Sequence, residues 1–230
     1  KEGVERTFGW DDMHKLPPVD AIVHLAGKAH DTKNQSVAQS YFDINTGLTE
    51  KIFDFFIKSD AKTFVFFSSV KAAADSVPGD VLTEDVVPAP VGPYGESKIR
   101  AEEYILKRLS ALPSDSDKRV FILRPCMIHG PGNKGNLNLL YNVVSRGIPW
   151  PLGAYENLRS FCSIDNIGFV VEQLIVMEDI ESGIYHVCDD EPISTNELIG
   201  IIGESVGKRS HIWRLPKALM GAAASVGGVL

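Results

Sequence analysis

Apolar residues along the chain gather in short unbroken runs, and between them lie longer stretches where they recur every three or four positions. Asp20-Ala-Ile-Val-His-Leu-Ala-Gly27 is one such run, bounded by Pro17-Pro18 and Gly27. Its length and Val/Ile content predict a strand buried on both faces. From Tyr41 to Ile57, Phe42, Ile44, Leu48, Ile52, Phe55 and Phe56 follow mixed three- and four-residue steps, which predicts a helix. Lys62-Thr-Phe-Val-Phe-Phe-Ser-Ser69 predicts a second buried strand that ends in two hydroxyls. The stretch from Asp75 to Pro93 carries Pro78, Pro88, Pro90 and Pro93 among several acids and reads as a long loop. Helical spacing returns from Tyr94 to Leu109 through Ile99, Ala101, Tyr104, Ile105 and Leu109. Arg119-Val-Phe-Ile-Leu-Arg-Pro125 is a third strand, stopped by its proline. This alternation predicts the α/β class: a parallel sheet with right-handed crossovers.

After Pro125 the rhythm loosens. A glycine-rich loop (Gly130 to Gly135) leads to a helix near Leu137 to Arg146, and an extended stretch around Arg159-Ser-Phe161 follows. A helix near Asn166 to Met177 and a strand from Ile184 to Cys188 come next, and Ser194-Thr-Asn-Glu197 has the spacing of a capping box that opens another helix.

Composition narrows the classes. At 44% hydrophobic and 23% charged residues, a chain of 230 residues can bury a full core, which excludes intrinsic disorder and collagen-like repeats. The 23 Lys+Arg against 30 Asp+Glu leave net −7 with no block of like charges, so nucleic acid and anionic membrane surfaces are not expected partners. No apolar run approaches the ~20 residues of a membrane span, and the polar residues after Lys1 do not read as a signal peptide. Cys126, Cys162 and Cys188 are an odd count without C-x-x-C spacing, which points away from a disulfide framework or zinc cage and toward a reducing cytoplasm. The six histidines have no metal-ligand spacing, so no metal is expected.

Three constellations carry candidate chemistry. Tyr94-Gly-Glu-Ser-Lys98 places a phenol and an ammonium at i and i+4, on one helical face. An unperturbed tyrosine titrates near ~10, and a nearby cation favours its phenolate, as a tyrosine acid/base requires; an amphipathic helix with both residues in solvent has the same pattern. Ser68-Ser69 ends a strand, where parallel sheets place ligands, although serines there also serve as caps. His24-Leu-Ala-Gly27 ends the preceding strand, and small residues at that point let an extended ligand approach the backbone, while a tight turn alone also explains Gly27. Lys28 and His30 follow that strand end and are weaker substrate candidates; Cys126 reads as packing.

In this order and spacing the elements resemble the extended short-chain dehydrogenase/reductases, specifically the NAD-dependent epimerase/dehydratase family acting on nucleotide sugars. The resemblance runs over nearly the whole chain: Asp20 to Gly27, Asn45, Phe66 to Ser69, Tyr94 with Lys98, Arg124-Pro125, Gly130-Pro131-Gly132, Asn136-Leu137 and Arg159-Ser-Phe161. Pro149-Trp-Pro-Leu-Gly153 and Ser69-Val-Lys71 look most like bacterial polysaccharide enzymes that epimerise UDP-hexosamines or reduce their 4-keto derivatives.

The resemblance implies a Rossmann-like doubly wound parallel sheet over residues 1–130 and a smaller substrate lobe over 131–230, with 160–190 returning to the sheet. It implies Ser69, Tyr94 and Lys98 as the catalytic set, Tyr94 moving the proton and Lys98 lowering its pKa and holding the nicotinamide ribose. Leu25, Ala26, Gly27, Asn45, Ser68 and Pro125 join Tyr94 and Lys98 on the cofactor, NAD or NADP with NAD favoured. Lys28, Ser69, Asn136, Leu137 and Arg159 meet the substrate, with the Arg159 guanidinium gripping the diphosphate. A homodimer is implied through the helices at 41–58 and 94–109, with Phe53 and Ile105 facing outward.

Three departures stand out. The family's glycine-rich pyrophosphate turn is not in the chain, so by the family's pattern roughly 50 residues, two or three strands at ~30 residues per βαβ unit, precede Lys1. Val70-Lys-Ala-Ala-Ala74 replaces the usual small-x-Val-Tyr-Gly after the serine, and Leu230 falls within an apolar stretch. The implied function is a UDP-sugar 4-epimerase or 4-keto reductase of surface-polysaccharide synthesis. The alternative is a non-catalytic dinucleotide- or protein-binding module of the same fold, which has no need of the phenol–ammonium pair.

Overall fold

The computed structural model describes residues 6–28, 37–77, 79–132 and 136–218, with every side chain in those ranges except that of Asn136. Along the chain a 3₁₀ turn (Trp10–Lys15) precedes β1 (Ala21–His24), α1 (38–58), β2 (Thr63–Phe67), α2 (Val70–Ala73), α3 (Gly92–Leu109) and β3 (Arg119–Pro125). Then follow β4 (Met127–His129), α4 (Asn136–Ser145), β5 (Leu158–Arg159), β6 (Phe161–Ser163), α5 (Ile164–Val176), β7 (Gly183–Val187), β8 (Ile193–Ser194) and α6 (Thr195–Ser205). These elements form two units: the described residues up to Cys126 with Ile167–Val187, and Met127–Asn166 with the described residues from Cys188.

The first unit is built on a four-stranded parallel sheet in the order β1-β2-β3-β7. Ala21 lies opposite Thr63, Thr63 opposite Arg119, and Phe121 opposite Gly183. Strand residues alternate between faces, and both faces of β2 are covered: Phe64 and Phe66 enter a cluster with Ile52, Phe53, Phe56 and Ile105 of α1 and α3, while Val65 on the opposite face is buried as well. A strand with no polar face has no solvent side to mark, which is why these runs read as continuous rather than alternating.

Two readings change here. Phe53 and Ile105, expected on outward helical faces, are completely buried against the sheet. The periodicity of α1 and α3 located one apolar stripe per helix, and the sheet takes that stripe, so these residues lend no support to a dimer contact. Between the two helices Tyr104 Oη and Arg108 Nε instead donate to Asp54 Oδ1 at 2.8 and 3.1 Å. Second, α1 is three segments: α-helical Ala38–Tyr41, a π-helical turn Phe42–Gly47 and α-helical Leu48–Lys58. The widened turn is seen where the Leu48 N–H reaches back to the Asp43 carbonyl; such turns inside α-helices often mark functional sites.

The second unit holds two two-stranded pairings, β4 with β6 in parallel and β5 with β8 antiparallel. Val144, Ile199 and Ile202 of α4 and α6 form its buried cluster, with Leu137, Trp150 and Ile212 packed against it. The capping box opens α6 as its spacing predicts: Glu197 N–H donates to Ser194 Oγ at 3.1 Å, and Ser194 N–H donates to Glu197 Oε2 at 2.7 Å. Asp189 fastens the β6–α5 junction by accepting from Ser163 N–H at 3.1 Å and Asn166 Nδ2 at 2.7 Å. No described helix is long and apolar enough to cross a membrane. Among the described residues no group of three or more His, Cys, Asp or Glu could hold a metal ion.

Candidate active site

The carboxyl ends of the parallel strands carry most of the residues singled out in the sequence. β1 runs into Leu25-Ala26-Gly27-Lys28, β2 into Ser68-Ser69, and β3 ends at the buried Pro125. α3 lies across them and brings Tyr94 and Lys98 on one face, one turn apart. Ser69 is the N-cap of the short α2, its hydroxyl accepting from the Lys71 N–H at 3.2 Å. It therefore serves the cap expected of a strand-end serine, and its hydroxyl is also near enough to the Tyr94 phenol to lower that group's pKa.

The electrostatics of the pair differ from the expectation. Burial pushes the Tyr94 phenol above its ordinary value; the hydrogen bond from Ser69 opposes this and Tyr41 adds to it. The lowering expected from Lys98 is not among these influences. The Lys98 ammonium instead donates to the Phe67 carbonyl at 2.7 Å and lies 5.0 Å from the centre of the Phe66 ring. Burial pushes Lys98 itself down to about 8, against the opposing charge of Glu102. Each group loses solvation of its charged form, which holds the phenol neutral and brings Lys98, still mostly an ammonium at pH 7, closer to losing its proton.

The π-helical turn of α1 points Asn45 into this region. Its Oδ1 accepts from the Lys28 N–H at 2.6 Å, and its Nδ2 donates to the Lys28 carbonyl at 3.1 Å and to Ser97 Oγ at 3.0 Å. The loop after β1 is thereby tied to both α1 and α3. Behind it Thr49 Oγ1 donates its one proton to the Asn45 carbonyl at 2.6 Å, so the 2.8 Å contact between Thr49 Oγ1 and His24 Nε2 has the imidazole as donor. His24 is thus the Nε2–H tautomer. Burial, aided by Lys98, pushes its pKa down to about 4, which keeps it neutral near pH 7.

The remaining sequence candidates fall as follows. Leu25 is exposed and Ala26 half-buried, both on a hollow along the outer edge of β1. Lys28 is engaged within the first unit, its Nζ donating to Ser40 Oγ at 2.7 Å and lying 5.1 Å from the Tyr41 ring centre. The Ser68 hydroxyl does not face the strand-end opening: it is buried and donates to Glu102 Oε1, because that carboxylate lies beneath the strand end. Cys126 is half-buried, with its N–H bonded to the Val187 carbonyl. Leu137 and Arg159 line a cavity of about 420 Å³ in the second unit together with Trp150, Tyr155, Asn157 and Phe161. Ligand pockets of ~300–1,000 Å³ commonly show such aromatic walls with few polar groups. His30 and the side chain of Asn136 lie outside the described residues.

Two residues to which sequence reasoning gave no role belong to this site. Glu102 follows Lys98 by four positions, on the same face as Tyr94 and Lys98, and is completely buried. Arg124 pairs with it, Nε donating to Oε1 at 3.0 Å and Nη2 to Oε2 at 2.5 Å. A usable signal existed: a carboxylate on the core-facing stripe of a helix, and a guanidinium inside an apolar strand run, each require a partner.

Gly95 is a third. A Cβ there would fall well inside contact distance of the Lys71 carbonyl oxygen and 2.9 Å from Pro90 Cβ. Alanine would favour the helix by about 1 kcal/mol, but forcing a methyl into backbone costs about 1–3 kcal/mol. The clash should win: Gly95→Ala is expected to lower the thermal midpoint and displace the neighbouring Tyr94. A Gly95→Ala protein as stable as wild type in a melting experiment would refute the close approach.

Known proteins are similar to this chain. A profile of the NAD dependent epimerase/dehydratase family matches residues 9–186. A UDP-glucose 4-epimerase of Vibrio cholerae is 35% identical over 206 residues, covering 87% of this chain and 61% of that protein. An N-acetyl-alpha-D-glucosaminyl-diphospho-ditrans,octacis-undecaprenol 4-epimerase of Escherichia coli O157:H7 is 26% identical, covering 89% of this chain and 60% of that protein. The chain thus spans about three fifths of the length of these curated relatives. The crystal structure of a UDP-glucuronic acid 4-epimerase from Bacillus cereus in complex with NAD superposes with a TM-score of 0.71 at 19% identity, covering 90% of this chain and 65% of that one.

Proposed function

Because the chain belongs to the NAD-dependent epimerase/dehydratase family, we propose that the full-length protein is a nucleotide-sugar 4-epimerase that acts on a UDP-sugar with NAD. The observation that carries this reading is the half-buried Tyr94 phenol, close enough to Ser69 for its hydroxyl to act on the phenol's pKa and one helical turn from Lys98 at the ends of parallel strands. The names of the curated relatives supply the substrate class, and the NAD complex of the Bacillus cereus enzyme supports the cofactor.

The strand ends suit a nicotinamide. A Cβ at Gly27 would lie 3.0 Å from Lys98 Nζ and 3.2 Å from Asn45 Oδ1, a tight fit that those side chains would have to give way to, so glycine leaves this cradle open. The Lys98 ammonium gives one proton to the Phe67 carbonyl and has two more donors for a ribose. A bound nicotinamide supplies the hydride acceptor and, when oxidised, a positive charge. In its phenolate form, which the positive charge of an oxidised nicotinamide would favour, Tyr94 would accept the proton of the sugar 4-hydroxyl and later return it to the 4-oxygen, the role a positioned acid/base fills. Ser69 hydrogen-bonds that same oxygen and holds it against the phenol. Leu137, Asn136 and Arg159 bind the nucleotide and its diphosphate, the guanidinium meeting phosphate oxygens in pairs.

One observation favours a second reading, a 4-keto reductase. The raised Tyr94 pKa suits a phenol that donates a proton, and donation is the only step the reductive direction needs.

Incubating the full-length protein with UDP-glucose or UDP-N-acetylglucosamine and NAD, with products read by proton NMR, tests both. Appearance of the 4-epimer supports the first reading. Reduction of a 4-keto sugar nucleotide without epimerisation supports the second. Binding without turnover in either assay would favour a non-catalytic module and end both. A further outcome is expected: no 4-keto-6-deoxy sugar should be released from a UDP- or dTDP-hexose. Eliminating water across C5 and C6 needs an acid and a base beside the hydroxyl residue, and Val70 and Lys71 after Ser69 supply no carboxyl pair.

A further inference from the structure

The buried carboxylate beneath Lys98 is larger in consequence than an anchor. Glu102 has no solvent exposure and Arg124 only 1%, so two full charges sit where desolvation is costly. A buried ion pair is weak support for stability, since well-packed apolar residues often serve as well. What this pair does is join three elements at one point. Arg124 comes from β3, Glu102 from α3, and Ser68, immediately after β2, donates its hydroxyl to Glu102 Oε1. Ser68 is itself held by its N–H to the Leu123 carbonyl at 2.7 Å, and its chain neighbour is Ser69.

We propose that Glu102 is a positioning residue for proton transfer: clamped by Arg124 and Ser68, it locks α3 onto the strand ends, fixes Tyr94 opposite Ser69 and provides the counter-charge for the Lys98 ammonium. This rests on Tyr94 and Lys98 being the proton-transfer pair. Tyr94, Lys98 and Glu102 recur every four residues along one face of α3, so the register of the carboxylate sets the register of the other two. The charged and titratable groups around Lys98 are His24 from β1, Tyr94 and Glu102 from α3, and Arg124 from β3, with Tyr41 from α1 beside the phenol. His24 is neutral near pH 7 and Arg124 is bound to Glu102, which leaves the Glu102 charge as the influence that opposes the desolvation of Lys98.

Lys98 is charged below a pKa of about 8 and loses its proton as pH rises through it. Without the Glu102 charge that value falls further, so the ammonium is lost at lower pH. The test titrates the full-length protein by carbon-13 NMR of its lysine Cε groups, with Lys98 assigned from Lys98→Met, and compares wild type with Glu102→Gln. The Lys98 midpoint should drop by about one pH unit or more, the size expected for losing an opposite charge at close range. The alkaline limb of the pH–rate profile should move down with it. Ser68→Ala leaves the ion pair intact and decides the matter should Glu102→Gln not fold. It should lower kcat by roughly 10-fold or more, as small misplacements of reacting groups do, with KM within about two-fold. An unmoved Lys98 titration in folded Glu102→Gln, or a Ser68→Ala protein that loses stability but keeps its kcat, overturns the proposal. Tyr94→Phe run beside them separates the two ideas: wild-type turnover there sinks the Tyr94 reading, whereas the Lys98 titration still reports on Glu102.

Discussion

Tyr94→Phe in the full-length protein is expected to fold as wild type does and to turn over roughly 10²–10⁴-fold more slowly, the usual worth of a positioned acid/base. The substitution removes only the hydroxyl. The ring keeps its edge-on contact with Tyr41, centroids 6.4 Å apart, so packing is unchanged. Burial already disfavours the charged phenolate, so its loss removes no stabilising charge interaction from the folded protein. Binding of the sugar nucleotide, which we assign to Arg159, Asn136 and Leu137, should change little. The measurements are kcat and KM from a coupled assay, a thermal melt and nucleotide affinity by calorimetry. A phenylalanine variant within a few-fold of the wild-type rate would end the mechanism, and one that melts early would make Tyr94 a core residue first.

The largest loss of stability is expected at Phe64. Its ring is fully buried and meets Phe53 at 5.0 Å and Phe56 at 5.1 Å between centroids, in the cluster that joins β2 to α1. Phe64→Ala removes most of a side chain from a site walled by strands and helices that cannot close over the gap. Such truncations cost about 3–5 kcal/mol, which in a protein of this size lowers the melting midpoint by roughly 6–20 °C. Phe64→Leu keeps most of the volume and should cost under about 2 kcal/mol. Urea denaturation followed by circular dichroism would read both. Equal stability of the alanine and leucine variants would mean that Phe64 does not occupy the centre of the core.

Much of the first unit is legible in the sequence, for a physical reason. A parallel strand covered on both faces must be apolar throughout, and a crossover helix must be apolar on one stripe, so β2, β3, α1 and α3 each carry a mark that local composition alone reveals, whereas β1, expected to be covered on both faces, is the outermost described strand and only its His24 is buried. The pairing of Tyr94 with Lys98 was equally visible, because helical geometry places i and i+4 together whatever surrounds them. Strand ends at Gly27 and Ser69 followed from chain direction, since parallel sheets open for ligands at their carboxyl ends.

Other features were not written locally. The four-residue α2 and the π-helical turn of α1 are too short for periodicity to register, yet the turn is what aims Asn45 at Lys28 and Ser97. The core position of Phe53 and Ile105 is not written in their spacing, because spacing identifies a stripe without saying what covers it. The tautomer of His24 depends on Thr49, 25 positions away, and the role of Ser68 depends on Glu102, 34 positions away.

By itself, then, the sequence determined the order of strands and helices, the spacing of phenol and ammonium, and the small residues at the strand ends, because each is decided by neighbours within a turn or a strand. Only the tertiary structure decided the electrostatic state of those groups. Desolvation raises Tyr94 and lowers Lys98, while the Glu102 carboxylate, held by Arg124 from a different strand, opposes the second shift. Desolvation and buried charge pairing are sums over everything that surrounds a group, and that surrounding exists only once distant segments have packed together.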